Sequence, residues 1–451
     1  MRASEPRAPR SEGGGAAAEG TTPRSRPDVV AAPTRDAHRA ALTASWRALW
    51  SSRLLIWIAG IYGVLQIGYI PGFVPSRAQT PFSNLGNLLV APASGWDAGW
   101  YLSIADHGYR SAAQPAFFPL YPLTIKALGF VVRSQLVAGI LVSIAALAVA
   151  LYLLHRLTEL ELGANFAPAA VLALAFSPMA FFFSAVYTEA LLLALSIGAL
   201  YAGRRGRWAW AGILAAFASA TRNSGVLVAL PLLLLYLYGP RADRPQPMAA
   251  IGRLARLRPR FAPRADSGWL LLSPLGLVAF FAYLALAHHD ALASIHATQH
   301  YWHRSFQPLR GVVDGATAAW HGLERIAAGP NSTPILAHHS HLLVPPNRLA
   351  AYNIINFGFL VAATLATIGV LRRLPVAYGA FCIAGLVLAT SAPVVNQPLA
   401  SLPRYVAVLF PLQMWLALWA TERRRLALWI GISALGLGIF TTEFATWRWV
   451  A

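Results

Sequence analysis

The chain has 451 residues, 57% hydrophobic and only 12% charged, a balance that excludes a water-soluble globular protein of this size. Its formal net charge of +19 comes from arginines set in short clusters between apolar runs. That is the arrangement that orients membrane helices, so lipid headgroups are the expected acidic neighbours and no nucleic-acid partner is expected. The only cysteine, Cys382, excludes an intrachain disulfide.

Residues 1–50, rich in Ala, Gly, Pro, Ser and Arg, read as a disordered cytoplasmic tail, and 51–451 as one membrane domain. The first apolar run, from near Leu54, lacks a cleavage site and is expected to be a retained signal anchor. Apolar runs follow in the order 54–70, 136–155, 166–186, 188–203, 208–221, 223–238, 268–287, 351–371, 374–392, 404–420 and 426–442. The sequence therefore predicts an all-α polytopic protein with about eleven transmembrane helices. Eleven crossings place the clusters Arg2 to Arg53, Arg156, Arg204 to Arg207, Arg241 to Arg264, Arg372-Arg373 and Arg423 to Arg425 on the cytoplasmic side. The loops 71–135 and 288–350 then face outward, as do the tips around 184–189, 221–224 and 396–405. Positions 97, 189, 222 and 404 are expected on the extracytoplasmic side, and 205, 256 and 424 on the cytoplasmic side. The short pair 208–221 and 223–238 also suits a re-entrant hairpin.

The first outward loop holds Trp96-Asp97-Ala98-Gly99-Trp100-Tyr101, then Asp106-His107-Gly108-Tyr109 and Phe117-Phe118-Pro119-Leu120-Tyr121-Pro122. Spacings of four, three and four put Trp96, Trp100, Ser103 and His107 on one face of an interfacial helix, with Asp97 and Tyr101 on the next. A carboxylate there is suited to taking a proton from an attacking hydroxyl; the competing role for Asp97 is a helix cap. Asp106 and His107 read either as a helix end or as substrate contacts. Arg222, between two apolar runs, requires a partner or a function. Its guanidinium suits a phosphate, assisted by Arg404, and the competing reading is an ion pair with Glu189. Histidines 288, 289, 296, 300, 303, 321, 338, 339 and 341 crowd the second outward loop. His296, His300 and His303 would share a helical face, which a solvated polar face explains as well as a metal does; no metal and no cofactor is expected.

No Gly-rich phosphate loop or Asp-x-Asp motif is present, and no polar segment is long enough for a nucleotide-binding α/β domain. An outward site with phosphate-binding arginines points instead to a donor delivered within the membrane, a lipid-linked phosphate. A lipid-phosphate transporter or flippase would also use membrane arginines, but no inverted repeat is visible and the acidic, aromatic first loop would be unexplained.

The chain resembles the PIG-V type mannosyltransferases, within the multispanning C-type glycosyltransferases. The resemblance is carried by Trp96-Asp97 through Pro122, by Ser177-Pro178 with Phe181 to Glu189, by Ala220-Thr221-Arg222-Asn223-Ser224-Gly225, and by Pro403-Arg404-Tyr405 with Phe410-Pro411. It implies an inverting enzyme of the cell membrane, with an extracytoplasmic site, that moves mannose from a polyprenyl-phosphate donor to an acceptor hydroxyl. Asp97 matches the family's first-loop acid, and a monophosphate-linked donor implies no obligatory metal. The motifs add Tyr109, Tyr187, Asn223 and Tyr405 to Asp106, His107, Glu189, Arg222 and Arg404 as substrate-binding candidates. The arginine- and alanine-rich composition looks bacterial, so a cell-envelope glycolipid, glycan or protein is the expected acceptor. Another lipid-linked sugar, such as arabinose, is the alternative donor.

Overall fold

The computed structural model describes residues 34–245, 258–329 and 346–450, together with the backbone of two short strands at 335–336 and 343–344. Position 256 and His338, His339 and His341 lie outside the described residues, as do residues 1–33. Helix α1 runs Arg35–Gln66, its first turn closed by Thr34, whose Oγ1 accepts the Ala37 N–H at 3.2 Å, and by Asp36 at the positive end of the helix dipole. Residues 35–50, expected to be part of a disordered tail, are thus helical. The reason is local: Ala41, Ser45, Ala48 and Leu49 bury a small-residue face against the bundle, while Trp46 and Trp50 pack edge-to-face on the outside. A search for large apolar side chains does not register such a face.

The first expected loop is mostly helical, with α2 (Asn84–Ser94), α3 (Ala98–His107) and α4 (Leu120–Val132) preceding α5 (Gln135–Leu162). Trp96 is not on α3, because its backbone is left-handed with φ 54° and the helix starts two residues later. Helix α3 stops at Gly108, whose φ of 72° is open to glycine and whose N–H closes on the Ile104 carbonyl. Helix α4 is tied to α5 through the Tyr121 hydroxyl, 2.6 Å from Ser143 Oγ and 3.0 Å from the Gly139 carbonyl.

Further along come α6 (Ala167–Ala175) and α7 (Glu189–Arg204), separated by a 3-10 turn at Ala180–Phe183, and then α8 (Trp208–Thr221), which leads through a second such turn, Asn223–Val228, into α9 (Ala229–Tyr238). A third turn, Ala265–Leu272, precedes α10 (Leu275–His288), α11 (Ala293–Trp302) and α12 (Arg310–Ala327). Strands β1 (Ile335–Leu336) and β2 (Leu343–Val344) pair antiparallel. The chain continues through α13 (Pro346–Arg373), α14 (Val376–Thr390), α15 (Leu402–Ala407), α16 (Phe410–Glu422) and α17 (Leu426–Ala445). Every predicted run falls on a helix or a broken pair of helices. Among the described residues only α1, α5, α13 and α17 are each long and apolar enough to cross a membrane, or five spans if the bent pair 265–288 is one. Helix α6 has nine residues, about 14 Å at 1.5 Å per residue, against roughly 30 Å of hydrocarbon. It ends at Ala175, just before Ser177-Pro178, and Pro403 and Pro411 stand in the first turns of α15 and α16, where the missing N–H breaks no ladder bond.

Two sets of charges gather at different places in the bundle. At one, Arg204 Nε meets Glu161 Oε1 at 2.7 Å, the Tyr378 hydroxyl donates to the same oxygen, and Arg373 pairs with Glu422. The other is described below. Arg53 belongs to neither, although it was expected with the cytoplasmic arginines. Because α1 begins so early, position 53 falls mid-helix. Its guanidinium is buried and donates to Ser184 Oγ (3.2 Å) and to the Ala175 carbonyl (3.3 Å), left open where α6 breaks.

Candidate functional site

Three helix breaks and the start of α3 converge on one polar cavity of about 120 Å3. Asp97 lies just before α3 but makes no side-chain cap; its N–H donates to the Tyr187 hydroxyl at 3.0 Å and its Oδ2 accepts Arg404 Nη1–H at 2.8 Å. Arg404 is on α15, and its Nε lies 3.0 Å from Glu189 Oε1. Glu189 opens α7, where the helix dipole favours a carboxylate, and it is fully buried. The same Oε1 accepts Arg222 Nη1–H at 2.5 Å. Arg222 is held extended between α8 and the turn that follows, with its guanidinium 4.4 Å from the centre of the Tyr405 ring. The turn folds back so closely that a Cβ on Gly225 would meet the Ala218 carbonyl oxygen at 1.9 Å. Asp97, Arg404, Glu189, Arg222 and Tyr405 therefore form one continuous chain drawn from four parts of the sequence.

The ion pair anticipated between Arg222 and Glu189 is present, and Arg404 shares it. A third guanidinium, Arg304, was absent from the sequence reading. It follows α11 and donates to the carbonyls of Ala400 (3.0 Å) and Ala392 (3.4 Å), with no ion pair among the described residues. Burial lowers its pKa below the ordinary guanidinium value. Its neighbours in the loop, His303 and Ser305, do not set it apart in sequence. With Arg222, Arg304 and Arg404 against Asp97 and Glu189, three positive charges face two negative ones, leaving a formal +1.

Of the remaining sequence candidates, Asn223 and Tyr405 line the cavity. Tyr187 orients Asp97 from behind. Tyr109 lies in an adjoining apolar groove and donates its hydroxyl to the Phe117 carbonyl at 2.7 Å, bracing a wall of the cavity. Asp106 and His107 sit exposed at the end of α3 and do not line it. In the second loop, His296 bonds Asp290 at 2.7 Å, which holds that exposed carboxyl below its usual range. Helix α11 ends at Trp302, so His303 is not on its face, and among the described residues no group of three or more His, Cys, Asp or Glu is placed to hold a metal ion.

Comparison with known proteins adds a family resemblance over part of the chain. Residues 71–240 match the model of the mannosyltransferase (PIG-V) family. The GPI alpha-1,6-mannosyltransferase 2 of Homo sapiens is 31% identical over 150 residues, covering 31% of this chain and 30% of that protein. The protein of the same name from Cricetulus griseus is 37% identical over 170 residues, 34% of each chain. The chain thus matches about a third of the length of these curated relatives. A solved oligosaccharyltransferase from Archaeoglobus fulgidus, tethered to an acceptor peptide, aligns with a TM-score of 0.41 and 12% identity, over 88% of this chain and 55% of that one.

Proposed function

We propose, from the match of residues 71–240 to the mannosyltransferase (PIG-V) family model, that this multi-pass membrane protein transfers mannose, with inversion, from a polyprenyl-phosphate donor to a hydroxyl of a cell-envelope acceptor. The observation that carries this reading is the cavity's composition: one carboxylate reachable from solvent, Asp97, among arginines whose formal excess of +1 matches a singly charged phosphodiester. Asp97 takes the proton of the acceptor hydroxyl as that oxygen bonds to the mannose C1 from the face opposite the phosphate. The bond from C1 to the phosphate oxygen breaks, and the electron pair leaves with the phosphate, which goes from one negative charge toward two. Arg304 and Arg222 hold that phosphate, and their hold strengthens as its charge grows. Arg404, bonded to Oδ2 at 2.8 Å, keeps Asp97 oriented. An apolar groove of about 350 Å3, lined by Pro403 of α15 and by residues of α13 and α16, would take the polyprenyl chain.

The test is reconstitution of the purified protein in liposomes with tritiated polyprenyl-phosphate mannose, glucose and arabinose. Transfer of label from the mannose donor to envelope lipids or glycans is expected; inertness with all three donors would remove the transferase reading. Arg304→Gln should lower turnover by about a hundred- to a thousandfold, since a positioned donor to a developing oxyanion contributes on that scale. Arg222→Lys keeps the charge but loses the planar grip and the stack on Tyr405, and should also be clearly impaired. Full activity in both variants would move the phosphate elsewhere.

The cavity opens to the extracytoplasmic side in this reading, with the Glu161–Arg204 end in the cytoplasm. A cysteine placed at exposed Arg110, in the turn after α3, should react with an impermeant maleimide on intact cells. One placed at exposed Arg424 should react only after permeabilisation. Native Cys382 is buried and does not interfere. The reverse pattern would invert the topology. This orientation accompanies the proposed eleven crossings, with the short and broken helices completing spans inside the bundle.

A further inference from the structure

The cavity has two aromatic walls. On one side Phe117 and Trp302 stand with ring centres 5.4 Å apart, backed by Trp100. On the other is Trp449, packed edge-on to Trp96 at 5.2 Å, while Trp96 and Trp447 both lean on Phe73, at 5.5 and 4.5 Å. This second cluster is expensive to build. Trp96 and Trp447 both hold left-handed backbone, with φ 54° and 62°, a strained conformation for a residue other than glycine. The Trp96 indole N–H is buried without a partner among the described residues. Tryptophans that merely anchor a protein in lipid face outward, as Trp46, Trp50 and Trp210 do here. Trp449 instead lines the cavity and also bounds a small cleft with Asp97, Tyr187 and Arg404.

A pyranose ring has an apolar C–H face and a polar rim. An indole beside a carboxylate and a guanidinium fits both, taking the face by stacking and the rim by hydrogen bonds. The Trp302 wall stands with Arg304, where the donor phosphate is placed. The Trp449 wall stands with Asp97, where the acceptor hydroxyl must lie. We infer that Trp449 is the platform on which a pyranose ring of the acceptor stacks, the residue that selects a sugar at the acceptor position. This rests on the transferase reading above, and Trp449 lies outside the residues that match the family.

With the labelled mannose donor, octyl α-D-mannopyranoside should be used at least about tenfold better than 1-O-octylglycerol, which offers a hydroxyl and a chain but no ring. Trp449→Leu keeps the bulk of the cluster and loses the flat ring. It should raise the KM for the mannoside about tenfold and move the donor KM less than about twofold, while Trp449→Phe should recover most of the loss. Equal use of the two acceptors by the unaltered protein, or an unchanged mannoside KM in Trp449→Leu, overturns the inference while leaving the transferase intact. Saturation-transfer NMR with methyl α-D-mannopyranoside reads the contact without turnover. Transfer to its ring C–H protons should persist in Trp449→Phe and vanish in Trp449→Leu. Identical transfer in both variants counts against the platform even for a protein inert with every donor.

Discussion

Asp97→Asn is expected to lower turnover by about two orders of magnitude or more, while donor binding survives. The amide keeps the size of the side chain and can still accept from Arg404 through its oxygen, but it cannot take the proton from the attacking hydroxyl. Asp97 makes no helix-capping bond, and its backbone N–H is held by Tyr187 whichever side chain is present. Folding should therefore be little affected, and the loss should appear in kcat. The check is steady-state transfer at saturating donor and acceptor beside a thermal unfolding curve. A near-normal rate in a folded Asp97→Asn protein would remove the residue from the reaction.

Glu189→Gln should be the most destabilising single change in the cavity. The carboxylate is fully buried and one of its oxygens serves both Arg222 and Arg404. Neutralising it leaves two guanidinium groups facing each other away from water, and removing one member of a buried ion pair costs about 3–5 kcal/mol. Activity should fall together with the unfolding midpoint, unlike the case of Asp97→Asn. Replacing Arg222 and Glu189 together, Arg222→Ala with Glu189→Ala, separates structure from chemistry. The double variant should regain stability relative to Glu189→Ala, because the unpaired charge is gone, and should remain poorly active, because a phosphate ligand is gone too. Recovery of activity along with stability would mean that Arg222 serves only as the partner of Glu189. Unfolding measured by intrinsic fluorescence in detergent, with turnover on the same samples, gives both readings.

Much of the cavity was legible in the sequence because charge is costly inside an apolar bundle. Asp97, Glu189, Arg222 and Arg404 stood out as rare ionisable residues next to apolar runs, and parity alone brought them to one side; the structure brings them into contact. The helical segments were legible for a related reason, since apolar runs of sufficient length have few other stable forms in a bilayer. Periodicity was a poorer guide where small residues do the packing, as along Ala41 to Leu49, and where a single left-handed residue ends a helix, as at Trp96.

What only the tertiary structure decided are the groups whose burial depends on distant segments. Arg304 sits in a polar loop among nine histidines, where an arginine carries no penalty and so no signal. It becomes a partly buried cation because the adjoining α12 docks on the end of α14, the Leu309 N–H bonding Ser391 Oγ and Gly311 lying against the Thr390 carbonyl. Trp302 and Trp449 read as two among 15 tryptophans, a residue that membrane proteins commonly place at the interface. Their role as cavity walls depends on α3, α11 and the segment after α17 meeting around Asp97, a long-range packing outcome that no local spacing encodes. Sequence alone determined which residues were too costly to be incidental; the packing of the broken helices determined which of the inexpensive ones join them.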